Sequence, residues 1–309
     1  MNRNAIKTNV RANDAGSAMK MQPRVHFFSM VRADLVKIMW LRSTWVMLFL
    51  LISGAAFVSL INATGVGAHQ MLQQDPVQYV YTYELSENLL IFRVLSGFLV
   101  LLVTAFAIGL EYQQGTMRVI LGRGVGRVRF LFSKMSALFL FALLVTLGGV
   151  LLNGCLLVVN VGADTGSLNA LGVILSRCLG LLGQYYLYLL FNMWVSILLA
   201  MALTILGRSL TFGLSAALLW FPVDNILSNV LVISLRTFLP VDLTQKLSNA
   251  FLGPELNALP LVAISTHIVS QSMANPFNIG GWPTIAIILV YALAFLSLSV
   301  TLMRRRDVL

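Results

Sequence analysis

The chain has 309 residues, of which 58% are hydrophobic and only 10% are charged. A soluble globular domain carries about 25% charged residues, so this composition excludes an ordinary soluble enzyme. Lys and Arg number 21 against 11 Asp and Glu, and the mean hydropathy is +0.86. In so apolar a chain, a basic excess indicates membrane orientation and contact with lipid headgroups rather than nucleic-acid binding. We therefore expect an all-α membrane protein with lipid as a partner.

The N-terminal region divides into a tail and a helix. The first 24 residues are polar and basic and contain no apolar stretch of signal-peptide length, which predicts a disordered cytoplasmic tail over residues 1–24. From Val25 to Arg42, apolar residues recur at spacings of three and four, as in an amphipathic helix. Because this helix is also basic, we expect it to lie on the membrane surface.

Six charge-poor apolar runs follow this helix, and each is long enough to cross a bilayer, which takes roughly 20 residues. Irregular backbone cannot face lipid, so all six are predicted to be helices. The prediction is one six-span domain over residues 25–309, with spans at about residues 44–61, 91–110, 135–160, 182–206, 211–235 and 284–303.

The distribution of basic residues predicts the orientation. With the N-terminus inside the cell, 17 of the 21 basic residues lie in cytoplasmic segments, as the positive-inside rule requires. Both termini are then cytoplasmic. Residues 256–273 are uncharged and would make a seventh span, but that span would place the three terminal arginines outside. We therefore interpret residues 236–281 as an external loop with short amphipathic helices.

The sequence contains none of the motifs of an enzyme. Its three histidines are scattered, its two cysteines are far apart, and no hydrolase or zinc motif is present. The glycine-rich run Gly122–Gly126 lacks the Lys-Ser/Thr pair of a phosphate-binding loop. We expect no catalytic residue, no metal and no cofactor, and we expect any ATP hydrolysis to take place in a separate chain.

The cytoplasmic loop between spans two and three, Gly109 to Lys134, is the most informative stretch. Glu111 lies where a span leaves the membrane, Gly115 allows a sharp turn, and Thr116 is a candidate cap for a short helix. The glycines at 122, 124 and 126 end that helix. The pattern predicts a short helix lying across the cytoplasmic face. On spacing alone, an ordinary positively charged loop is the alternative.

Three stretches carry a resemblance to a known family. The run Glu111-Tyr-x-x-Gly-Thr-x-Arg118, with Lys134 after it, is similar to the loop of ABC type-2 transporter permeases, the membrane subunits of ATP-binding-cassette exporters. The segment from Lys37 to Trp45 resembles the interfacial helix of that family as it enters span one. The ending Arg305-Arg306-Asp307-Val308-Leu309 resembles the common terminus of the family.

This resemblance implies that residues 113–121 form a coupling helix that docks on a separate ABC ATPase subunit. The residues that it assigns to coupling are Glu111, Gln113, Gln114, Gly115, Thr116, Arg118 and Arg123. Polar side chains would hydrogen-bond the docking surface, while Met117, Ile120 and Leu121 would fill it. Glu111 would pair with a basic group and fix the angle of the helix.

The resemblance also implies a second permease subunit, identical or different. Together the subunits would export a substrate across the plasma membrane. Walls so poor in charge suit an apolar or amphipathic substrate, such as a peptide or an antibiotic.

Polar residues within spans are candidates for the transport path. Gln184, Tyr188 and Asn192 recur every four residues and share a helix face, which either lines a path or contacts a neighbouring helix; we favour the contact. Asp224 follows Pro222. Either the helix ends early there and Asp224 lies in the headgroup layer, or Asp224 faces the path and gates it. The alternative function is an ATP-independent secondary transporter or channel, for which Asp224 is the one intramembrane ionisable candidate.

Overall fold

The computed structural model of the protein describes residues 26–122, 124–165, 169–235, 238, 240, 243, 251–256, 259 and 282–305. The predicted tail, Arg123, the C-terminal motif after Arg305 and most of the predicted external loop lie outside these ranges. In chain order, the elements are α1 (Phe27–Trp40), α2 (Arg42–Ala63), α3 (Val66–Gln74), α4 (Pro76–Tyr79), a π-helical segment (Val80–Asn88), α5 (Leu89–Gln113), α6 (Thr116–Gly122), α7 (Arg127–Thr165), α8 (Asn169–Gly207), α9 (Leu210–Leu235) and α10 (Trp282–Arg305).

Six helical stretches in this part of the chain are long and apolar enough to cross a membrane, which confirms the predicted number of spans. They are Arg42–Ala63, Pro76–Gln113, Arg127–Ala163, Asn169–Gly207, Leu210–Leu235 and Thr284–Arg305. Helices α7 and α8 have 39 residues each. At 1.5 Å per residue each is about 58 Å long, almost twice the ~30 Å thickness of a hydrocarbon core. Both helices therefore extend well beyond the bilayer.

Helix α1 occupies the segment predicted as an amphipathic helix, and Val31 and Ile38 are its buried residues. Its position on a membrane surface stays a prediction. Extended backbone at Leu41 separates α1 from α2. The Thr44 hydroxyl donates to the Ile38 carbonyl over 3.0 Å, and the Trp45 indole donates to the Met39 carbonyl over 2.8 Å. These bonds satisfy carbonyls that the end of α1 leaves open.

Helix α8 is the centre of the bundle and the most enclosed of the six spans. It packs against α5, α7, α9 and α10. Helices in lipid associate through close van der Waals packing rather than through the hydrophobic effect, so small residues matter where they meet. A Cβ atom at Gly109 of α5 would lie 2.7 Å from the Leu210 Cα atom. Glycine at this position is what lets α5 and α9 approach each other.

Polar side chains also join the helices. Asn160 of α7 donates to the Ser59 hydroxyl of α2 over 3.0 Å. Asn62 of α2 donates to the Asn88 amide oxygen over 2.8 Å, and Asn88 donates to Glu84 over 2.8 Å. A polar group that found no partner in the apolar interior would be costly, so these bonds fix how α2 packs.

Part of the predicted external loop lies inside the bundle. Residues 252–256 are helical and buried. Leu252, Leu256 and Leu259 pack in one apolar cluster with side chains of α8 and α10, among them Val195 and Ile288. The prediction of short helices between the last two spans thus holds for these residues. They form an inserted segment, which we define as residues 251–256.

Candidate functional site

The loop between α5 and α7 contains the short helix that the sequence predicted. Helix α5 ends at Gln113 and α6 begins at Thr116. Between them Gly115 has a φ of 66°, a left-handed conformation that glycine adopts without a steric penalty. The expectation that Thr116 caps α6 is wrong, because its hydroxyl is buried and makes no hydrogen bond. The glycine therefore makes the turn without help from a side-chain cap.

Helix α6 has one face toward the bundle and one face away from it. Met117 is 2% exposed and packs in the apolar cluster of Ile108 and Phe130. The expectation that Met117 contacts a partner protein is therefore wrong: it anchors α6 to its own chain. Ile120 and Leu121 are half-buried and pack on the same cluster.

The outer face of the loop combines polar and apolar groups. Gln113, Gln114 and Arg118 are exposed, and Val119 is 56% exposed. We call these four residues the loop-helix surface. An apolar side chain surrounded by hydrogen-bonding groups is the usual composition of a protein–protein contact. Arg123, which was also predicted to take part, lies outside the described residues.

Four charged side chains meet at the end of α5, close in sequence to α6. The Lys134 Nζ atom lies 2.6 Å from the Glu111 Oε1 atom and 2.9 Å from the Asp34 Oδ1 atom. The Lys37 Nζ atom lies 3.2 Å from the same Glu111 oxygen. The side chains of Glu111 and Lys134 are each 3% exposed. We call Asp34, Lys37, Glu111 and Lys134 the charge network. The prediction that Glu111 pairs with a basic group is confirmed, and it has two basic partners.

The charge network joins three helices, α1, α5 and α7. Asp34 and Lys37 belong to α1, Glu111 to the last turn of α5, and Lys134 to the second turn of α7. Two cations balance two anions, which offsets the cost of burying them. Each charge would be left unpaired if its helix moved alone, so the charge network ties α1, α5 and α7 to one another.

The sequence did not identify which residues form the charge network: neither Lys37 nor Lys134 was assigned to Glu111, and Asp34, the partner of Lys134, was not singled out. Asp34 is the only acidic residue of α1, and it precedes Lys37 by three residues. Residues at that spacing share a helix face. An acid and a base on one face of an otherwise basic helix are the signal that could have suggested a contact with a charged loop.

The three polar residues of α8 occupy different environments. Gln184 is exposed, Tyr188 is half-buried and Asn192 is buried. The Asn192 amide donates to the Leu256 carbonyl over 3.2 Å. Asn192 therefore contacts another part of the chain, as we favoured, but that part is the inserted segment rather than a spanning helix.

Asp224 also holds the inserted segment. Helix α9 continues past Asp224 to Leu235, so the interpretation that the helix ends early at Asp224 is wrong. A carboxylate oxygen of Asp224 accepts a hydrogen bond from the Gly253 backbone N–H. At the other end of the segment, the Glu255 side chain is buried near Thr284 of α10, and burial raises the pKa of its carboxyl group. The inserted segment is thus attached to α8 and α9 by single hydrogen bonds.

A comparison with protein families gives one match. The model of a family described as "ABC-2 family transporter protein" matches residues 35–224. This range contains α6, the predicted path residues and all of the charge network except Asp34. No curated protein matches the chain.

Proposed function

The chain belongs to the ABC-2 transporter family, and from this premise we propose that it is the membrane-spanning permease subunit of an ATP-driven exporter. The family is a membrane transport component rather than a catalyst, so ATP hydrolysis belongs to a separate ABC ATPase subunit. The permease would work as a dimer, with an identical or a different second permease, and with two ATPase subunits.

The observation that carries the proposal is the charge network at the end of α5, whose Glu111 precedes the exposed loop helix α6 by five residues. A docking element has to present a free surface and transmit its displacement. The loop-helix surface, with Arg118 and Val119 exposed, supplies the free surface. The buried pair Glu111–Lys134 and its contacts with α1 would transmit the displacement. A loop that only satisfied the positive-inside rule would need neither a buried carboxylate nor a fixed helix.

The mechanism follows from these contacts. ATP binding would close the ATPase pair and push α6, and the charge network would carry that push to α1, α5 and α7. The bundle would then change between inward-facing and outward-facing states. At the far end, the hydrogen bonds of Asp224 and Asn192 to the inserted segment would break and re-form as the outer side opens.

We place the protein in the plasma membrane with both termini in the cytoplasm. Seventeen of the 21 basic residues then lie inside, in agreement with the positive-inside rule. An apolar or amphipathic substrate, such as a peptide or an antibiotic, suits a bundle with few charged residues in its spans.

The test is the ATPase activity of the permease–ATPase complex in vesicles. Arg118→Glu reverses a charge on the loop-helix surface and Gly115→Pro prevents the turn into α6, since proline cannot adopt a φ of 66°. Both should abolish stimulation by substrate while membrane insertion stays normal. Arg129→Glu is the matched control, because Arg129 is also exposed but lies in α7. Unchanged stimulation in Arg118→Glu and Gly115→Pro would refute docking through α6, and transport without any ATPase would support a secondary transporter.

A further inference from the structure

Another buried carboxyl group lies far from the charge network. Glu84 belongs to the π-helical segment Val80–Asn88 and is 3% exposed. It precedes Glu111 by 27 residues within one helical stretch, Pro76–Gln113, which is about 40 Å at 1.5 Å per residue. This separation exceeds the ~30 Å thickness of a hydrocarbon core. Glu84 and Glu111 therefore lie toward opposite sides of the membrane.

Glu84 ends a chain of hydrogen bonds between side chains. The Asn62 amide of α2 donates to the Asn88 amide oxygen over 2.8 Å, and the Asn88 amide donates to the Glu84 Oε2 atom over 2.8 Å. Both asparagines are buried as well. The chain fastens the π-helical segment to α2. Among the described residues, this one uncharged amide is the donor to the Glu84 carboxyl group.

A comparison with Glu111 shows what Glu84 lacks. Both glutamates are buried, but the Glu111 Oε1 atom lies within 3.2 Å of two lysine Nζ atoms. In the described part of the chain, no Lys, Arg or His side chain forms an ion pair with Glu84. A carboxylate removed from water without a cation is so costly that the group takes up a proton instead. A single amide donor does not offset that cost, because buried carboxylates that stay ionised accept several N–H bonds or pair with a cation.

The titratable side chains on the neighbouring elements do not replace the missing cation. Tyr186 of α8 interacts electrostatically with Glu84 and hydrogen-bonds with Asn153 of α7, but a tyrosine is uncharged at neutral pH. Arg93 of α5 interacts with Tyr185 of α8. The other described titratable groups on these elements are His69 of α3, Tyr79 of α4, Arg177 and Cys178 of α8, and Arg42 at the far end of α2.

We propose that Glu84 is a proton-binding site that holds this end of the bundle closed. The exposed carboxylates of Asp75 and Glu87, which flank Glu84 in the sequence, place water near the segment, and this water supplies the proton. With the proton bound, the neutral carboxyl group stays in the protein interior and accepts the Asn88 hydrogen bond. When the proton passes back to water, the carboxylate needs hydration, so the π-helical segment separates from α2 to admit it.

A metal cation fits this cluster less well than a proton does. Both polar atoms of the Asn88 amide are already engaged, and its N–H points a positive charge at the Glu84 oxygen that a cation would need. A calcium ion takes about six to eight oxygen ligands, whereas this cluster offers one carboxyl group. The proton needs only one oxygen.

The first measurement is ¹³C NMR of the purified protein with ¹³C at the δ-carbon of its four glutamates, Glu84, Glu87, Glu111 and Glu255. At neutral pH we expect the Glu84 carbon to have the chemical shift of a protonated carboxyl group and the ion-paired Glu111 carbon to have that of a carboxylate. Glu84→Gln assigns the resonance. Should this variant fail to fold, Glu255→Gln removes the other buried glutamate without an ion pair among the described residues, and a protonated resonance must remain.

The second measurement is the rate at which a thiol reagent labels Leu85→Cys, a buried position of the segment, in a protein without its native cysteines. The rate is divided by that of Glu87→Cys, an exposed position of the same segment, to correct for the effect of pH on thiol reactivity. This ratio should rise severalfold from mildly acidic to alkaline pH. In Glu84→Gln, which keeps the acceptor for Asn88 but cannot ionise, the ratio should stay constant.

Three results would overturn the proposal. The first is a carboxylate chemical shift for Glu84 at neutral pH. The second is a Glu84 resonance that moves when Na⁺ or Ca²⁺ is added at constant pH, which would assign the cluster to a metal cation. The third is a labelling ratio that depends on pH equally in the parent protein and in Glu84→Gln. None of these measurements needs ATP or an ATPase, so their failure is distinct from a failure of the permease proposal, which the ATPase assay detects.

Discussion

The two ends of the bundle are held together by different kinds of contact. At the end that carries α6, two buried ions and two further charges connect three helices. At the other end, no ion pair is found among the described residues: the inserted segment is held by the apolar packing of Leu252 and Leu256 and by single hydrogen bonds, among them those of Asn192 to the Leu256 carbonyl and of the Gly253 N–H to Asp224. Breaking one partner of a buried ion pair costs about 3–5 kcal/mol. A single hydrogen bond contributes about 1 kcal/mol.

This difference fits the tasks that the proposed function gives to the two ends. An element that receives a push from a partner transmits it only if the push does not deform it, and a buried ion network resists deformation. An element that has to open repeatedly needs contacts that break at small cost. The comparison thus assigns transmission to the charge network and release to the inserted segment. The predictions that follow test this assignment, from the largest expected effect to the smallest.

Loss of Lys134 should have the largest effect. Lys134→Met leaves Asp34 without its lysine partner and Glu111 with only the half-exposed Lys37. We expect a destabilisation of about 3–5 kcal/mol, measured as a lower Tm of the purified protein in detergent. Arg129→Met, five residues earlier on the same helix and exposed, is the control and should change Tm little. Equal Tm values in the two variants would show that the charge network does not stiffen this end.

Asp224→Leu should loosen the inserted segment without unfolding the bundle. The substitution removes the acceptor of the Gly253 N–H, whereas Asp224→Asn keeps an acceptor oxygen and should have a smaller effect. The measurement is the rate at which an impermeant thiol reagent labels Leu252→Cys, a buried position, in a chain without its native cysteines. We expect a severalfold faster rate in Asp224→Leu. If Asp224→Leu and Asp224→Asn both label at the rate of the parent chain, Asp224 does not hold the segment.

Glu255→Gln should have the smallest effect. Burial raises the pKa of the Glu255 carboxyl group, and the hydrogen bond with Thr284 lowers it by a smaller amount. An acid with a raised pKa in the folded state destabilises that state when it is ionised, and this cost disappears as the pH falls through the folded pKa. The amide should therefore raise Tm slightly at neutral pH, and the gain should shrink at mildly acidic pH. Glu87→Gln, at an exposed position, is the control. A gain that grows on acidification would contradict the assignment.

The sequence was sufficient to predict the spanning helices and part of the candidate functional site. Charge-poor apolar runs of about 20 residues cross a membrane as helices, because a barrel strand needs only about half that length, which is why the six spans could be predicted. A carboxylate at the end of a span, such as that of Glu111, is costly to bury without a cationic partner, and Glu111 pairs with two lysines. The turn at Gly115 was predictable because few other residues tolerate a left-handed φ.

The errors have physical causes. In a helix of seven residues such as α6, the apolar side chains alone do not show whether they face the bundle or a partner, and Met117 was assigned to the wrong side. Asp34 meets Lys134 across 100 residues of chain, a separation over which helix periodicity carries no information. The Asp224 carboxylate accepts a hydrogen bond from the backbone N–H of Gly253. Every residue except proline has a backbone N–H, so the sequence does not show which one is the donor.

The central claim is that α6 docks on an ATPase, and crosslinking from Val119 tests it most directly. A photoreactive benzoylphenylalanine at Val119, the exposed apolar residue of the loop-helix surface, is compared in intact cells with the same group at Arg129, exposed on α7. The account predicts an adduct from position 119 to a chain that carries an ATP-binding cassette, and much less of that adduct from position 129. Equal yields of that adduct from the two positions, or its absence from position 119, would contradict the account.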